Sequence, residues 1–248
     1  MKKLIILLAF IFSIFIIESC SESTKSDDTT ANFQLKIKEP LVKTSDNHIQ
    51  FTDLGGTTFI ITEARTNVRH IQIDHAEGST DTTVQISIDG PFVFDLMAGT
   101  SNPALGAIDI EPGVYKRIDI RLDDTKAEDG LVTAGDDLLD NTFVVKGTFD
   151  YDGNAARNFT FILKFNEDIR FEKASGFVME DGEVNNMILS LKVEEWLQDV
   201  DITGCLVAGN VTLEQNGDLI INDDNGNGDC NDFEGKIKTN LKNNYDFD

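Results

Sequence analysis

Apolar and polar residues alternate with a period of two along much of this chain, and that pattern leaves few folds open. Phe33, Leu35 and Ile37 alternate with Gln34, Lys36 and Lys38. Val84, Ile86 and Ile88 alternate with Gln85, Ser87 and Asp89, and Phe159, Phe161, Leu163 and Phe165 fall on one face. Successive side chains of an extended chain point to opposite sides, so each run reads as a strand with one dry and one wet face. Further apolar runs at residues 57–62, 68–73, 92–96, 114–122, 143–149 and 187–193 are separated by turn clusters: Gly55-Gly56, Asp89-Gly90-Pro91, Glu111-Pro112-Gly113 and Asp152-Gly153-Asn154. With about ten short strands, short turns and almost no helical periodicity, the pattern predicts an all-β fold, an antiparallel β-sandwich made of one large unit or two small ones.

The sandwich is expected over residues 33–200. Residues 123–140 are acidic, glycine-bearing and poor in β-branched side chains, and read either as a link between two half-sandwiches or as a loop within one. Residues 194–200 read as a helical turn or two that sets Trp196 and Leu197 against the sandwich. From Asp201 onward the composition turns to Asn, Asp and Gly, which predicts a small C-terminal unit over residues 201–248.

The amino terminus carries an address. Lys2 and Lys3 precede an apolar run over residues 4–17, broken only by Ser13, which has the length of a secretory signal and is short for a bilayer span. Ile17-Glu18-Ser19-Cys20 then resembles a lipobox, with Glu18 its atypical member. The resemblance implies a leader over residues 1–19 and Cys20 as the acceptor of a diacylglyceride and an amide-linked acyl chain such as palmitate. Residues 20–32 are polar and cannot bury enough surface to offset their ordering entropy, so they read as a flexible tether. Ser21 resembles the outer-membrane sorting residue of Gram-negative lipoproteins. Glu22, Asp27 and Asp28 resemble the signal that sends some lipoproteins of the Bacteroidetes to the cell surface. Asp28-Thr29-Thr30 and Asp81-Thr82-Thr83 resemble O-glycosylation sites of the same group. A formal charge of −23 argues against nucleic acid and favours cations or basic partners. Of three cysteines, lipidation of Cys20 leaves Cys205 and Cys230 in a compartment where thiols oxidise, and a disulfide between them is expected.

Phe94-Asp95-Leu96-Met97-Ala98-Gly99, then Leu105-Gly106, then Ile110-Glu111-Pro112-Gly113-Val114-Tyr115-Lys116-Arg117-Ile118 resembles the core pattern of the domain-of-unknown-function 4382 family of bacterial lipoproteins. Trp196, shortly before Val200-Asp201, fits the same pattern. The resemblance covers residues 33–201 and implies a sandwich fold and an envelope location; it transfers no site. Physically, Pro112-Gly113 makes a tight turn, and Tyr115 opens the next strand with its ring reaching across the sandwich edge.

One motif carries chemistry. From Asp223 to Glu234 the chain reads Asp-Asp-Asn-Gly-Asn-Gly-Asp-Cys-Asn-Asp-Phe-Glu, the spacing of an EF-hand or dockerin calcium loop. Ca²⁺ takes six to eight oxygens. Asp223, Asn225 and Asn227 would offer side chains, Asp229 its carbonyl, Asn231 a direct or water-borne contact, and Glu234 a bidentate carboxylate, with Gly228 at the sharp turn. Phe233, Ile237, Leu241 and Tyr245 recur every fourth residue and predict an exiting helix, whereas residues 218–221 read as a strand, so no entering helix is expected. Cys230 stands where a sister loop would pair, and a bond to Cys205 would replace that pairing. With two Asn among the ligands, affinity on the order of 10⁻⁴ to 10⁻³ M is expected, that of a structural staple.

No catalytic residues are assigned. His70 and His75, five apart in one strand, would point to opposite faces, and His48 is remote. No metalloprotease, phosphate-loop or serine-hydrolase motif occurs. The preferred reading is a non-catalytic, lipid-anchored outer-membrane protein, facing the periplasm or the surface, that binds a glycan or protein. The alternatives are a glycan hydrolase using two carboxylates and a purely structural envelope subunit.

Overall fold

A single long strand receives partners along both edges, and the rest of the chain is arranged around it. The computed structural model describes residues 29–38, 49–75, 85–153, 155–222 and 226–247. Cys20 with the leader and most of the tether, His48, Asp81-Thr82-Thr83, Val84, Asn154, Asp223 and Asn225 lie outside the described residues. In chain order the elements are β1 (Thr30–Ile37), β2 (Ile49–Thr52), β3 (Thr58–His75), β4 (Gln85–Asp95), β5 (Thr100–Asn102), β6 (Ala107–Asp109), β7 (Gly113–Leu122) and β8 (Phe143–Phe149). They continue with β9 (Arg157–Leu163), β10 (Glu167–Met179), β11 (Val184–Leu191), α1 (Ile202–Val207), β12 (Leu219–Ile221), α2 (Phe233–Asn243) and β13 (Tyr245–Phe247).

Two sheets face each other, as the alternating pattern predicts. The smaller has the order β13-β11-β1-β6. The larger runs β10-β7-β3-β8-β9-β12, with β2 and β4 also on β3 and β5 beyond β4. Phe33, Leu35 and Ile37 of β1 and Met187, Leu189 and Leu191 of β11 join one buried cluster with Phe59, Ile71, Ile73, Phe94 and Phe161 of the larger sheet. Phe33 meets Phe94 edge to face across the interface, with centroids 6.0 Å apart. Each such side chain contributes about 1.5–3 kcal/mol on burial. Among the described residues no helix is long and apolar enough to cross a membrane.

The expected strands at 57–62 and 68–73 are one element, β3. The polar stretch between them stays extended because Arg65 and Thr66 are paired on both sides, with Val144 and Phe143 of β8 and with Asp95 and Phe94 of β4. Asp89-Gly90-Pro91, expected as a turn, lies inside β4 for a related reason. Opposite it the β3 register shifts between Val68 and His70, and a Cβ on Gly90 would sit 2.4 Å from the Val68 carbonyl oxygen, so the close approach admits only glycine. Two pairings are parallel, β1 with β11 and β9 with β12, and the other named strand pairs are antiparallel. Short turns, the basis for expecting antiparallel neighbours, say nothing about strands that meet from distant parts of the chain.

Strands β8 and β7 lie end to end along one edge of β3, the first on Phe59 to Thr66 and the second on Val68 to His75. Asn67 stands at the handover with 0% exposure. Its amide donates to Thr142 O (3.0 Å) and its carbonyl accepts from Asp123 N (3.4 Å). Its side-chain Nδ2 donates to Asp123 O (2.9 Å) and Asp124 O (3.2 Å). The acidic segment 123–140 leaves and returns at this point, so it is an excursion from one sheet. It folds onto the outer face of that sheet, where Leu138 packs on Val93 and Val144 with Leu131 and Val132. Arg65 grips Asp136 through two hydrogen bonds (2.9 and 2.8 Å), and Arg69 grips Asp129 in the same way (2.8 and 2.7 Å). The Arg65 guanidinium holds the Asp136 carboxyl below the usual carboxylate range.

The segment from Asp201 is built into the sandwich. β12 extends the larger sheet and β13 the smaller, and Cys205, Val211, Leu219, Phe233, Ile237 and Leu241 belong to the main core cluster. Trp196, 1% exposed, packs edge-on against Phe143 at 5.3 Å, after a short 3-10 turn at Val193–Glu195. Tyr115 is fully buried at the start of β7, stacks on Phe177 and donates its hydroxyl to Glu111 O (2.9 Å). Burial, followed by the nearby Glu111 carboxylate, pushes its pKa up to about 12.

Replacing Asn67 tests the handover. Asn67→Ala leaves two carbonyl oxygens without this donor, at about 1–3 kcal/mol each where burial is complete. Asn67→Asp sets a carboxylate against the same oxygens and should cost more. Denaturant melts should rank wild type above Ala above Asp; equal midpoints would show that the handover is not held by this side chain.

Candidate functional sites

The C-terminal loop is described from Gly226 onward, so Asp223, Asp224 and Asn225 contribute no geometry, nor does the Asp229 side chain. Gly226 has φ +116°, and a Cβ there would lie 2.2 Å from Cys230 O, so the loop doubles back tightly at this point. Gly228, the expected turn residue, has φ +61°. Asn227 N donates to Asn210 O (3.1 Å) and Cys230 N to Asn227 O (3.1 Å). A disulfide joins Cys230 to Cys205 in α1, with Cα atoms 5.9 Å apart. The loop is thus tied to α1 by a covalent bond and to the turn after α1 by a backbone hydrogen bond, in the place where paired EF-hands use a sister loop.

The exiting helix is present as α2, with Phe233, Ile237 and Leu241 buried. Tyr245, expected as its fourth apolar position, instead lies in β13, where it packs on Phe171 at 4.6 Å; the chain leaves the helix at Asn244 to pair with β11. Asp232 caps α2 by accepting from Gly235 N (3.2 Å). Glu234 Oε1 accepts from Lys164 N (2.7 Å) in the turn between β9 and β10. One such bond leaves acceptor capacity on both Oε1 and Oε2 of Glu234. Among the described residues no group of three His, Cys, Asp or Glu side chains is positioned to hold a metal. Of the expected ligand set, Asn227, Asn231 and Glu234 fall within the described residues, flanking the positive-φ glycines Gly226 and Gly228.

Ion pairs dock α2 on the sheet. Lys238 and Lys242 both reach Glu167 at the start of β10, the former at 3.0 Å. Hydrogen bonds from Lys242 and then Lys238 hold the Glu167 carboxyl below its ordinary range.

A second feature was not anticipated from the sequence. A groove of about 550 Å³ opens where the β2–β3 turn, the β8–β9 turn and the start of α1 converge. Its walls include Thr57, Thr58, Thr148, Asp150, Tyr151 and Thr203. Behind it lies Asp53, 4% exposed, whose carboxylate accepts from Thr57 N, Thr203 N and Thr203 Oγ1, each at 2.8 Å. Gly55-Gly56 and Asp152-Gly153-Asn154 marked the two turns, but nothing in the spacing showed that they meet.

The remaining candidates are structural. On the outer face of the larger sheet, His70, Gln72, Asp119, Arg121, Asp168 and Arg170 line a hollow of about 370 Å³. Its charges are paired across strands: Arg170 with Asp119 (2.8 Å), Arg121 with Asp168 (2.9 Å) and His70 with Asp89 (2.9 Å). His75 ends β3, and its side chain lies outside the described residues. Thr29, in the first sequence resembling a glycosylation site, is 6% exposed and its hydroxyl accepts from Gly182 N (2.9 Å), an environment that a glycan would have to displace.

Comparison with known proteins returns nothing: no protein-family model, no curated protein and no solved structure matches the chain.

Two measurements address this region. In thermal unfolding of residues 21–248 under oxidising conditions, millimolar Ca²⁺ should raise the melting temperature over EDTA and over equal Mg²⁺, and Asp223→Ala and Glu234→Ala should abolish the rise; no shift at saturating Ca²⁺ would make the motif a turn only. Glu167 has a folded pKa below its unfolded value near 4.3, so its contribution is present above that value and is lost as pH falls through the folded pKa. Glu167→Gln should therefore cost up to about 1 kcal/mol at neutral pH, with the two melting curves converging below about pH 4.

Proposed function

We propose that the protein is a non-catalytic binding module of the Gram-negative envelope, held by lipid on Cys20 at the outer membrane, with a disulfide-closed C-terminal segment stapled by Ca²⁺ and a contact surface for a glycan or protein ligand. The resemblance to the domain-of-unknown-function 4382 lipoproteins belongs to the same reading.

One observation carries it: the groove and the point where the tether joins the sandwich sit at opposite ends of the molecule. Thr30 opens β1 beside Val184, and the turn before Val184 follows Met179, which pairs with Gly113 at the end of the larger sheet that holds His75. The groove lies at the other end of β3, where Phe59 pairs with Phe149 and Leu54 N donates to Val200 O (3.0 Å). At about 3.3 Å per residue, the eighteen residues of β3 separate these ends by on the order of 50 Å. A leash on one pole and converging loops on the other is the arrangement of a tethered module that meets its ligand away from the membrane.

The test combines anchoring with retention. Expressed with its leader in a Gram-negative host, the chain should partition with membranes, and Cys20→Ser should move it to the soluble fraction. The purified protein should then retain a polysaccharide or protein from an envelope panel without altering it. Accumulation of new reducing ends in the polysaccharide arm would replace this reading with the hydrolase.

A further inference from the structure

We propose that the tether-distal groove is a binding site for a neutral saccharide carrying adjacent hydroxyls; this deepens the binding function proposed above and rests on it. The volume, about 550 Å³, falls within the range of roughly 300–1,000 Å³ typical of small-molecule sites. The decisive feature is the chemistry of the wall.

Four threonines, one aspartate and one tyrosine contribute, and none of the described lining residues is Lys, Arg or His. In a chain of net charge −23 an anionic ligand would find no countercharge at this wall and would meet Asp150 instead. The lining therefore selects against phosphates and uronates and suits an uncharged molecule rich in hydroxyls.

The hydroxyls are fixed before any ligand arrives. Thr203 Oγ1 lies 2.8 Å from Asp53 Oδ2 and 2.6 Å from Thr57 Oγ1. Thr203 has one proton, and a carboxylate can only accept, so Asp53 takes it and the Thr57 hydroxyl donates to Thr203. Thr57 Oγ1 then retains its lone pairs as an oriented acceptor on the wall. This arrangement is anchored by a carboxylate that is buried and fully engaged, so it is rigid.

Asp150 is oriented as well. Its Oδ1 accepts from Asp152 N (3.3 Å) and Gly153 N (2.8 Å), which fixes an exposed carboxylate at the rim. With Oδ1 filled by these two bonds, Oδ2 keeps its lone pairs and can accept from neighbouring hydroxyls of a sugar ring. Tyr151 is held by Phe149, with centroids 5.9 Å apart, and by the Arg157 guanidinium 5.5 Å from its ring centre. Arg157 is in turn paired with Asp152 (3.0 Å). So held, the half-exposed Tyr151 is an ordered wall against which a sugar can pack at small entropic cost.

The experiment is a calorimetric titration of the full chain without its leader, closed by its disulfide. The probes are neutral oligosaccharides of glucose, galactose, mannose and N-acetylhexosamine, with their uronate and phosphorylated counterparts. At least one neutral probe should bind with a Kd on the order of 10⁻³ M or tighter, with the charged counterparts weaker by about tenfold or more. Asp150→Asn and Tyr151→Ala should each weaken binding by about tenfold. Thr58→Lys, an exposed position whose change removes no contact of the Asp53 network, should block the groove while leaving the melting temperature unchanged. Val178→Ser, at the tether pole, should bind as wild type. Binding that survives Thr58→Lys and Tyr151→Ala would overturn the groove assignment while leaving the module's binding function intact, as would preference for the anionic probes. Failure of every saccharide, with a protein retained in the envelope panel, would overturn this inference alone; failure of both would overturn the two readings together.

Discussion

The architecture depends on how one edge of β3 is shared. An extended backbone presents its hydrogen-bonding groups alternately to its two sides, and a strand of eighteen residues is too long for the short partners this chain supplies. Two of them, β8 and β7, must share an edge end to end, and where they meet the ladder has a gap. Asn67 fills that gap with its own amide, carbonyl and side chain, so the backbone polar groups there find partners without water. The gap is also the exit for the acidic excursion, two of whose carboxylates, Asp136 and Asp129, pair with Arg65 and Arg69 from the same strand. Of the two readings its composition allows, a link or a loop, the segment is the loop, laid over the outer face of the sheet.

The carboxy-terminal part acts as a clasp. It gives a strand to each sheet, buries one face of α2 in the common core and closes on itself through Cys205 and Cys230. Its Asn, Asp and Gly content reflects the turns between these pieces. The candidate ion loop includes the close turn at Gly226, with Glu234 already bound to the Lys164 amide, so a cation there would join an existing network.

The strands that could be read are those dry on one side, whereas short exposed ones such as β5 and β6 went unread. Phe33, Leu35 and Ile37, or Phe159, Phe161 and Leu163, announce their element through local alternation alone. What stayed hidden was non-local. That Glu63 to Asn67 continues a strand is decided by partners on both edges, that Gly90 and Pro91 lie within β4 is decided by the Val68 carbonyl facing them, and that Tyr245 leaves its helix is decided by β11. The calcium spacing and the cysteine pair could be read because their chemistry needs a fixed local order or a simple count. The groove could not, because Thr57, Asp150 and Thr203 come from two distant turns and the start of α1, and Thr57 and Thr203 are linked only through space, by the buried Asp53 carboxylate and their own hydroxyl pair.

The parallel pairing of β1 with β11 has a mechanical consequence. Residues 30–37 run beside residues 184–191 over eight consecutive positions, and the proposed tether would join at Thr30. Tension between an anchor at that end and a load at the far pole would run along β1 and strain its ladder in shear. Bonds loaded side by side must yield together, whereas a hairpin pulled from its open end yields one rung at a time. If the chain is anchored as proposed, β1 is the strand oriented to transmit pulling force into the sheet.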